Sequence, residues 1–463
     1  MGTWAKVDGV FWQAPDTLVA LRNRDFGRLF RLLSAATGVS QTAIGAATGL
    51  SQGQVSQVMN GARRLTQLAV IERVCDGLDM PDPARMLLGL APGVSPRPEV
   101  SSALVPPTVG LAELVTRDVR GDVGAVTLSC RSVGFVAPSR DWLVAIASAS
   151  GAPASAASPS AMALHGAFTM FQEMDTRFGG AYTHATLAQY LRLQVTPLLN
   201  ASAAEPARRD VFSAAAELVY LAGLTSVDSG ACGLGQRYFV QALALAREAG
   251  ETDFGANVLA AMATLALTHR NATEAVQLAK AGMVGARQVG NHALAMRLNL
   301  ALARGHARAG EPVAAGQALN RAETALERVT DPARRAWTRF LDRAYLLGET
   351  ATCLLDLGCG QQAAAMAEES ANAYTGRQRR LILSHATRAT ALGRHGDPDV
   401  ADIALTEALD LLGPVQSSRT IRALNDAVAA MNRHRRDSPG LSRAHAVLGR
   451  PTGRCCPYLP LAS

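Results

Sequence analysis

Between residues 15 and 90 the apolar positions of this chain fall three and four apart, in short runs separated by turn residues, which is the spacing of amphipathic helices. Pro15-Asp16-Thr17 opens one run and Asp25-Phe26 another, in which Phe26, Leu29, Phe30 and Leu33 sit among Arg24, Arg28 and Arg31. Two shorter helices follow between Val39 and Arg64. Thr66 to Leu78 then places Leu68, Ile71, Val74 and Leu78 on one side, Pro81 stops it, and Asp82-Pro83 opens a last helix ending near Leu90. The pattern predicts about five helices in about 75 residues, one domain of ordinary size over 15–90. Trp4, Phe11 and Trp12 of the lead-in are placed to pack against it.

From Met162 to Leu424 the texture changes to long alanine-rich helices in pairs. Arms run from Arg237 to Ala249, Thr273 to Gln288, Val313 to Arg328, Gln361 to Tyr374 and Asp399 to Leu412, each preceded by another helix and a turn at Gly233, Asn271, Gly310, Gly358 or Gly396. Those turns recur at roughly 38–40 residues, with one longer gap holding Asp331-Pro332-Ala333-Arg334-Arg335. A two-helix repeat of that length reads as a solenoid over 162–430, because one hairpin has too little core to stand alone and must stack on its neighbours. Small residues at the packing positions (Ala242, Ala246, Ala275, Ala279, Ala318, Ala322, Ala401, Ala404 and Ala408) permit close helix approach. An irregular helical bundle is the alternative.

The remaining segments carry no such period. Pro92, Pro96, Pro98, Pro106 and Pro107 read as extended chain. Ala125-Val126-Thr127-Leu128 and Val133-Gly134-Phe135-Val136 have the composition of short strands, and the Ser/Ala run 147–161 that of a flexible segment. Residues 91–160 are therefore expected to be a partly disordered linker. Residues 432–463, with Arg433, His434, Arg435, Arg436, Arg443, Arg450 and Arg454, are expected to be a basic flexible tail.

Composition agrees with an all-α chain: 48% of the 463 residues are hydrophobic, only 5% aromatic, and alanine, the best helix former, abounds. The net charge of +7 suits a polyanionic partner without demanding one. Nearly all of the positive charge is arginine, since Lys6 and Lys280 are the only lysines. The seven cysteines (Cys75, Cys130, Cys232, Cys353, Cys359, Cys455 and Cys456) form no C-x-x-C pair, and their odd number suits a reducing compartment. The N-terminus lacks a basic stretch followed by an apolar core, and the longest uncharged run, Trp142 to His165, is too rich in Ser, Gly and Pro for a membrane span. The expectation is a cytoplasmic protein.

Enzyme chemistry finds little purchase. No glycine precedes either lysine, so a phosphate-binding loop is missing, and no histidine is followed by glutamate as a zinc-protease motif requires. Gly49-Leu50-Ser51-Gln52-Gly53 fits G-x-S-x-G, but a helix precedes it where a hydrolase needs a strand. The nine histidines show no metal-ligand spacing. No catalytic residue, metal or cofactor is expected.

Residues 39–64, VSQTAIGAATGLSQGQVSQVMNGARR, carry the most specific pattern. Ser40 is placed to cap one short helix, Thr48-Gly49-Leu50 to turn the chain, and Ser51 to cap a second helix that ends at Asn60-Gly61. With Ser51 as N-cap, Gln52, Gly53, Ser56 and Gln57 share one face, and Val55, Val58 and Met59 the other. A DNA-reading helix offers its first turns to base edges in the major groove, and glutamine can grip adenine through two hydrogen bonds. Gln41, Asn60, Arg63 and Arg64 are placed to meet phosphates, Ser51 counts among the candidate DNA contacts as well as being a cap, and Ala43, Ala46 and Ala47 are placed to let the two helices pack closely.

At Ser40-Gln41, Gly49, Ser51-Gln52-Gly53-Gln54-Val55-Ser56 and Asn60-Gly61 the chain resembles the Xre/Cro family of phage-repressor-like regulators. The resemblance covers 15–90 and implies a lambda-repressor-like helix-turn-helix domain on double-stranded DNA. Gln52, Gly53, Ser56 and Gln57 would be its base readers, with Gln41 and Asn60 on phosphate. Two departures stand out: Gly53 offers no side chain at a reading position, and Met59 and Ala62 replace polar residues beside Asn-Gly. The whole chain resembles actinobacterial, Streptomyces-type regulators that join this domain to a tetratricopeptide-like region, whose start Tyr220-Leu221-Ala222-Gly223, Gln236-Arg237-Tyr238-Phe239 and Gln241-Ala242-Leu243 resemble. The repeat here is longer than that family's norm of about 34 residues.

Together these readings predict an all-α transcriptional regulator: a five-helix reading domain, then a tetratricopeptide-like α-solenoid. It would bind DNA as a homodimer and a peptide or protein effector through its repeats. Asn257, Asn299, Arg304, Arg343 and Arg388, on the first helices of successive repeats, are the candidate effector contacts. The second reading is an interaction scaffold or anti-activator that does not itself bind DNA.

Overall fold

The computed structural model describes residues 11–12, 14–65, 67–78, 80–88, 90, 106–121, 134–148, 158–201, 204–330, 335–374, 377–395, 397–413, 415–433 and 438–449. Trp4, the linker prolines 92, 96 and 98, the strand candidate 125–128, Gly396, and the tail residues 434–437, Arg450 and Arg454 lie outside them. Every regular element among the described residues is helical. The chain divides into two compact units, 1–105 and 106–463.

Unit one has six helices among its described residues: α1 (Pro15–Arg22), α2 (Phe26–Thr37), α3 (Gln41–Thr48), α4 (Gln52–Met59), α5 (Leu68–Gly77) and α6 (Asp82–Leu87). Each of the runs read from the pattern is a helix, one more than the rounded count of about five. Asp25 accepts the backbone N–H of Arg28 and caps α2. Phe26, Leu29, Phe30 and Leu33 are buried as their spacing demands, against Ile44, Val55, Val58, Ile71, Val74 and Leu78. Trp12 is buried and Phe11 packs beside it on the same core. The close approaches are made by glycine rather than by Ala43 and Ala47, which are only half-buried. A Cβ on Gly27 would stand 2.5 Å from the Val58 carbonyl oxygen, one on Gly45 2.6 Å from that of Leu50, and one on Gly77 1.9 Å from that of Ala47.

Unit two begins earlier than its repeats suggest. Residues expected as linker form α7 (Pro107–Arg120) and α8 (Val136–Ser148), and both are anchored. Leu111, Leu114 and Val115 of α7 and Trp142 and Ile146 of α8 are buried in the main core. The strand expected at 133–136 is overturned at 134–136, which turn into the start of α8. Sequence periodicity missed these helices because each buries a narrow stripe, and their prolines sit in the first turn, where the lost N–H costs nothing. Next come α9 (Pro159–Phe178), α10 (Gly180–Tyr190), a π-helical turn (Leu191–Val195) and α11 (Thr196–Asn200).

Six helical hairpins follow. Their first helices are α12 (Glu205–Asp228), α14 (Thr252–Thr268), α16 (His292–Arg308), α18 (Arg343–Asp356), α20 (Gln378–His395) and α22 (Ser418–Met431). Their second helices are α13 (Cys232–Ala249), α15 (Ala272–Gln288), α17 (Pro312–Glu327), α19 (Gly360–Ala373), α21 (Pro398–Asp410) and α23 (Pro439–Leu448). The last hairpin corrects the expected tail: Leu441 and Ala444 of α23 are fully buried in the core that holds Leu405 and Leu424. All nine alanines singled out at the packing positions are 0% exposed. The first turn lies at Gly230 (φ 89°) rather than at Gly233, which is inside α13. Gly223 and Gly235 bring α12 against α13; a Cβ on either would come within 2.6 Å of Phe239 or Val227. Helix α12 is long and apolar enough to cross a membrane, but 83% of that apolar window is buried by its neighbours, as in the central helix of a packed core.

The first helices of successive hairpins touch one another along the array, which makes them its inner layer, and α12 also touches α22. The array therefore turns back on itself. The closure is polar. Arg379 of α20 grips Asp175 at 2.7 and 3.0 Å and Asp228 at 3.0 Å. Asp228 also accepts the Ser417 hydroxyl at 2.7 Å and the Gly180 N–H at 2.9 Å. Gln416 donates its N–H to the Phe178 carbonyl at 2.8 Å. Burial opposes the Arg379 charge, and the two aspartates outweigh it, so its pKa is raised.

Two outcomes follow. Gly77→Ala should destabilise unit one by about 1–3 kcal/mol, because the added methyl meets backbone that cannot rotate away; thermal melts of the 463-residue protein and the variant measure it. Arg379→Ala should lower the unfolding free energy of the array, measured by urea titration, by about 3–5 kcal/mol, by leaving two aspartates buried without their cation. Arg343→Ala, whose partner Glu369 is exposed like itself, should change it by less than about 1 kcal/mol.

Candidate nucleic-acid interface

Helices α3 and α4 form the capped pair that the sequence predicts. Ser40 accepts the Ala43 N–H at 3.3 Å. Gly49 ends α3 in the left-handed conformation (φ 68°), and the Leu50 N–H returns to the Gly45 carbonyl at 3.0 Å. Ser51 then starts α4 with a reciprocal cap: its hydroxyl accepts the Gln54 N–H at 3.2 Å, and the Gln54 side chain accepts the Ser51 N–H at 2.9 Å. Both side chains are thus engaged in starting the helix. The part assigned to Ser51 at the interface becomes one of shaping, with its hydroxyl hydrogen left to donate.

Val55 and Val58 are buried and Met59 half-buried, so the opposite face of α4 is outward. On it Gln52, Gly53 and Gln57 are exposed and Ser56 is half-exposed. Gln52 donates from its amide to the Gln41 side-chain oxygen at 2.9 Å. The clasp ties the N-termini of α3 and α4 together and leaves Gln52 a carbonyl and Gln41 an NH2 for further bonds. A residue expected on a base and one expected on a phosphate are therefore held as one unit. Nothing but the Ser51 hydroxyl, at 4.0 Å, approaches a Cβ built on Gly53, so packing does not require glycine there.

Past α4 the chain folds back, with Asn60 N–H on the Ser56 carbonyl at 3.0 Å and Arg63 N–H on that of Gln57 at 3.1 Å. Asn60, Arg63 and Arg64 are all exposed beside the end of the helix. Two arginines join them that the local sequence does not reveal. Arg31 of α2 donates to the Met59 carbonyl, where a cation complements the C-terminal end of the helix dipole. Arg73 of α5 lies across the turn, 3.2 Å from a Cβ built on Gly49. Arg28 of α2 is paired with Asp16 at 2.7 Å instead. Over residues 15–90 eight arginines face six acids, and four of the eight, Arg31, Arg63, Arg64 and Arg73, lie around α3 and α4.

The five candidate effector contacts do not form one surface. Asn257 is 0% exposed and accepts from Arg297, which makes it a core residue, not a lining one. Arg304 is bound to Glu349 at 3.1 Å on the inner layer. Asn299 turns the other way, accepting from Arg321 at 3.3 Å. It lines a shallow groove with Lys280, Arg287 and Leu302. Arg343 pairs with Glu369, and Arg388 with Glu368 and Glu407. One helix presents different faces to the inner layer and to its hairpin partner, which spacing along the sequence does not separate.

One constellation has the composition of a catalytic triad. His184 lies 3.1 Å from Asp118 and 3.5 Å from the Ser226 hydroxyl, with Tyr238 donating to the same aspartate. Ser226, however, donates to the Ala222 carbonyl at 2.7 Å and is 0% exposed. The group joins α7, α10, α12 and α13 as a buried polar clamp.

No curated protein and no solved structure matches the chain. Residues 25–88 match the family described as "Helix-turn-helix domain", a span that runs from the cap of α2 to the end of α6 and encloses the capped pair with its outward glutamines.

Proposed function

We propose that this protein is a sequence-specific, DNA-binding transcriptional regulator of the Xre/Cro type. The observation that carries the reading is the clasped, capped pair α3–α4, with Gln52, Ser56 and Gln57 on its outward face and Arg31, Arg63, Arg64 and Arg73 beside it. Helix α4 enters the major groove, Gln52 and Gln57 read base edges, and Gln41, Asn60 and the arginines hold the phosphates. A glycine at the second position of the reading helix confines side-chain readout to the other positions. The helical array, which resembles tetratricopeptide regulators in repeat and in small-residue packing, is the effector-binding and dimerising part, and the protein acts on DNA as a homodimer without catalysis. The low charge excess of unit one keeps a second reading, a scaffold that has lost DNA binding, as the outcome to be excluded.

Selection of bound genomic fragments should return one shared sequence. On it, Gln52→Ala with Gln57→Ala should cost about 1–3 kcal/mol for each lost base pair contact and little on random DNA; equal losses on both remove the base-reading assignment. Arg63→Ala should weaken both and lower the slope of log K against log salt by about 1. Gly53→Ala should raise the melting temperature of the domain, since alanine is favoured over glycine inside a helix by about 1 kcal/mol. No retarded fragment at low salt, with a protein partner recovered instead, selects the scaffold reading.

A further inference from the structure

The inner layer of the array concentrates arginine where carboxylates are scarce. Arg304, Arg380 and Arg419 converge on Glu349 at 3.1, 3.4 and 3.3 Å. Arg297 stands against the same group: it and Arg380 lie over the ring of Phe340, at 5.6 and 6.0 Å. Arg297 donates to neutral groups, the Tyr220 hydroxyl at 3.1 Å, the Asn257 carbonyl and the Tyr345 side chain. The next carboxylate, Asp356, lies 3.1 Å from Arg308 and is balanced there, with Arg304 at 3.6 Å. Three guanidiniums thus share one carboxylate, Glu349, and the fourth, Arg297, joins them over the Phe340 ring.

Donors are in surplus too. The Arg297 Nε–H and the Asn257 amide NH2 are buried without a hydrogen-bond partner among the described residues, and the Arg304 Nε–H has only the Asp356 carboxylate at 3.6 Å. Buried donors without acceptors are costly, and an oxyanion supplies several acceptors at once. The cluster is also reachable, since the Arg419 side chain is 46% exposed and that of Arg380 24%. Burial and the neighbouring Arg380 cation lower the Arg419 pKa, while Glu349, despite a burial that would raise it, is held at about 2 by Arg304, Arg419 and Arg380. The arrangement is short of negative charge.

We propose that this inner face binds a small molecule through a phosphate or pyrophosphate group, seated between Arg380 and Arg419 and drawing on Arg297 and Arg304. A single carboxylate on the ligand would leave most of the surplus charge uncompensated, whereas a polyvalent phosphate matches it. The first turns of α20 and α22, which carry Arg380 and Arg419, add their N-terminal dipoles in the same sense. The site deepens the reading of the array as the effector-binding part, yet it stands apart from DNA binding.

Calorimetric titration of the full chain in low-chloride buffer with sodium pyrophosphate, orthophosphate and a tetraglutamate peptide tests this. Pyrophosphate should bind, orthophosphate more weakly, and tetraglutamate not at all. Arg419→Gln and Arg380→Gln should each weaken pyrophosphate by about tenfold or more, Arg419→Lys by less, and Arg343→Gln not at all. Circular dichroism verifies that the variants fold, and the accessible Arg419 is the one whose loss the fold should tolerate best. Absence of binding by either phosphate, or unchanged affinity in both glutamine variants, overturns the site; binding of tetraglutamate in place of pyrophosphate overturns the assignment to phosphate. Retardation of DNA, measured separately, reports on the reading domain alone.

Discussion

Asp228 is the carboxylate that both ends of the helical array share. It closes α12, receives the N–H that starts α10, accepts the hydroxyl that caps α22 and pairs with Arg379 at the start of α20. A stack of hairpins held only by nearest neighbours would be an open spiral, stable in proportion to its number of repeats. Here the first hairpin meets the last, and the meeting point is one aspartate that accepts three hydrogen bonds from three other elements. The glycines around it serve the same contact: a Cβ on Gly180 would stand 2.6 Å from that of Asp228, and one on Gly179 2.3 Å from the Gln416 carbonyl oxygen.

Closure has an electrostatic consequence. Bringing the first helices together forces their polar side chains into a shared interior, where charges must find partners or be desolvated at a cost. At Arg379 the partners are supplied twice over, by Asp175 and Asp228. At Glu349 the balance runs the other way, with arginines in excess. The two clusters contain the same residue types and lie in one layer, and the difference in their charge balance separates a structural lock from a binding surface.

The reading pair in unit one works by local rules instead. Ser40 and Ser51 cap their helices within three residues, Gly49 turns the chain, and the amide clasp of Gln52 with Gln41 reaches back across α3 and the turn to tie the two helix starts together. Tertiary packing adds the setting: Gly27 and Gly77 let α2 and α5 press against the pair, which brings Arg31 and Arg73 to its edges.

What the sequence determined by itself is what short-range chemistry controls. Caps, turn glycines, the outward set Gln52, Gly53, Ser56 and Gln57, the hairpin period and the nine buried alanines all follow from interactions within a few residues or from side-chain size. What only the tertiary structure decided depends on distant partners. Helices α7, α8 and α23 look like linker and tail until the core that receives Leu111, Trp142 and Leu441 exists. Asn257 and Asn299 occupy similar places in consecutive first helices, yet one is sealed beneath Arg297 and the other faces a groove. Which of two helix faces turns inward is set by the angle at which neighbouring helices pack, and that angle is the sum of many contacts spread over the chain.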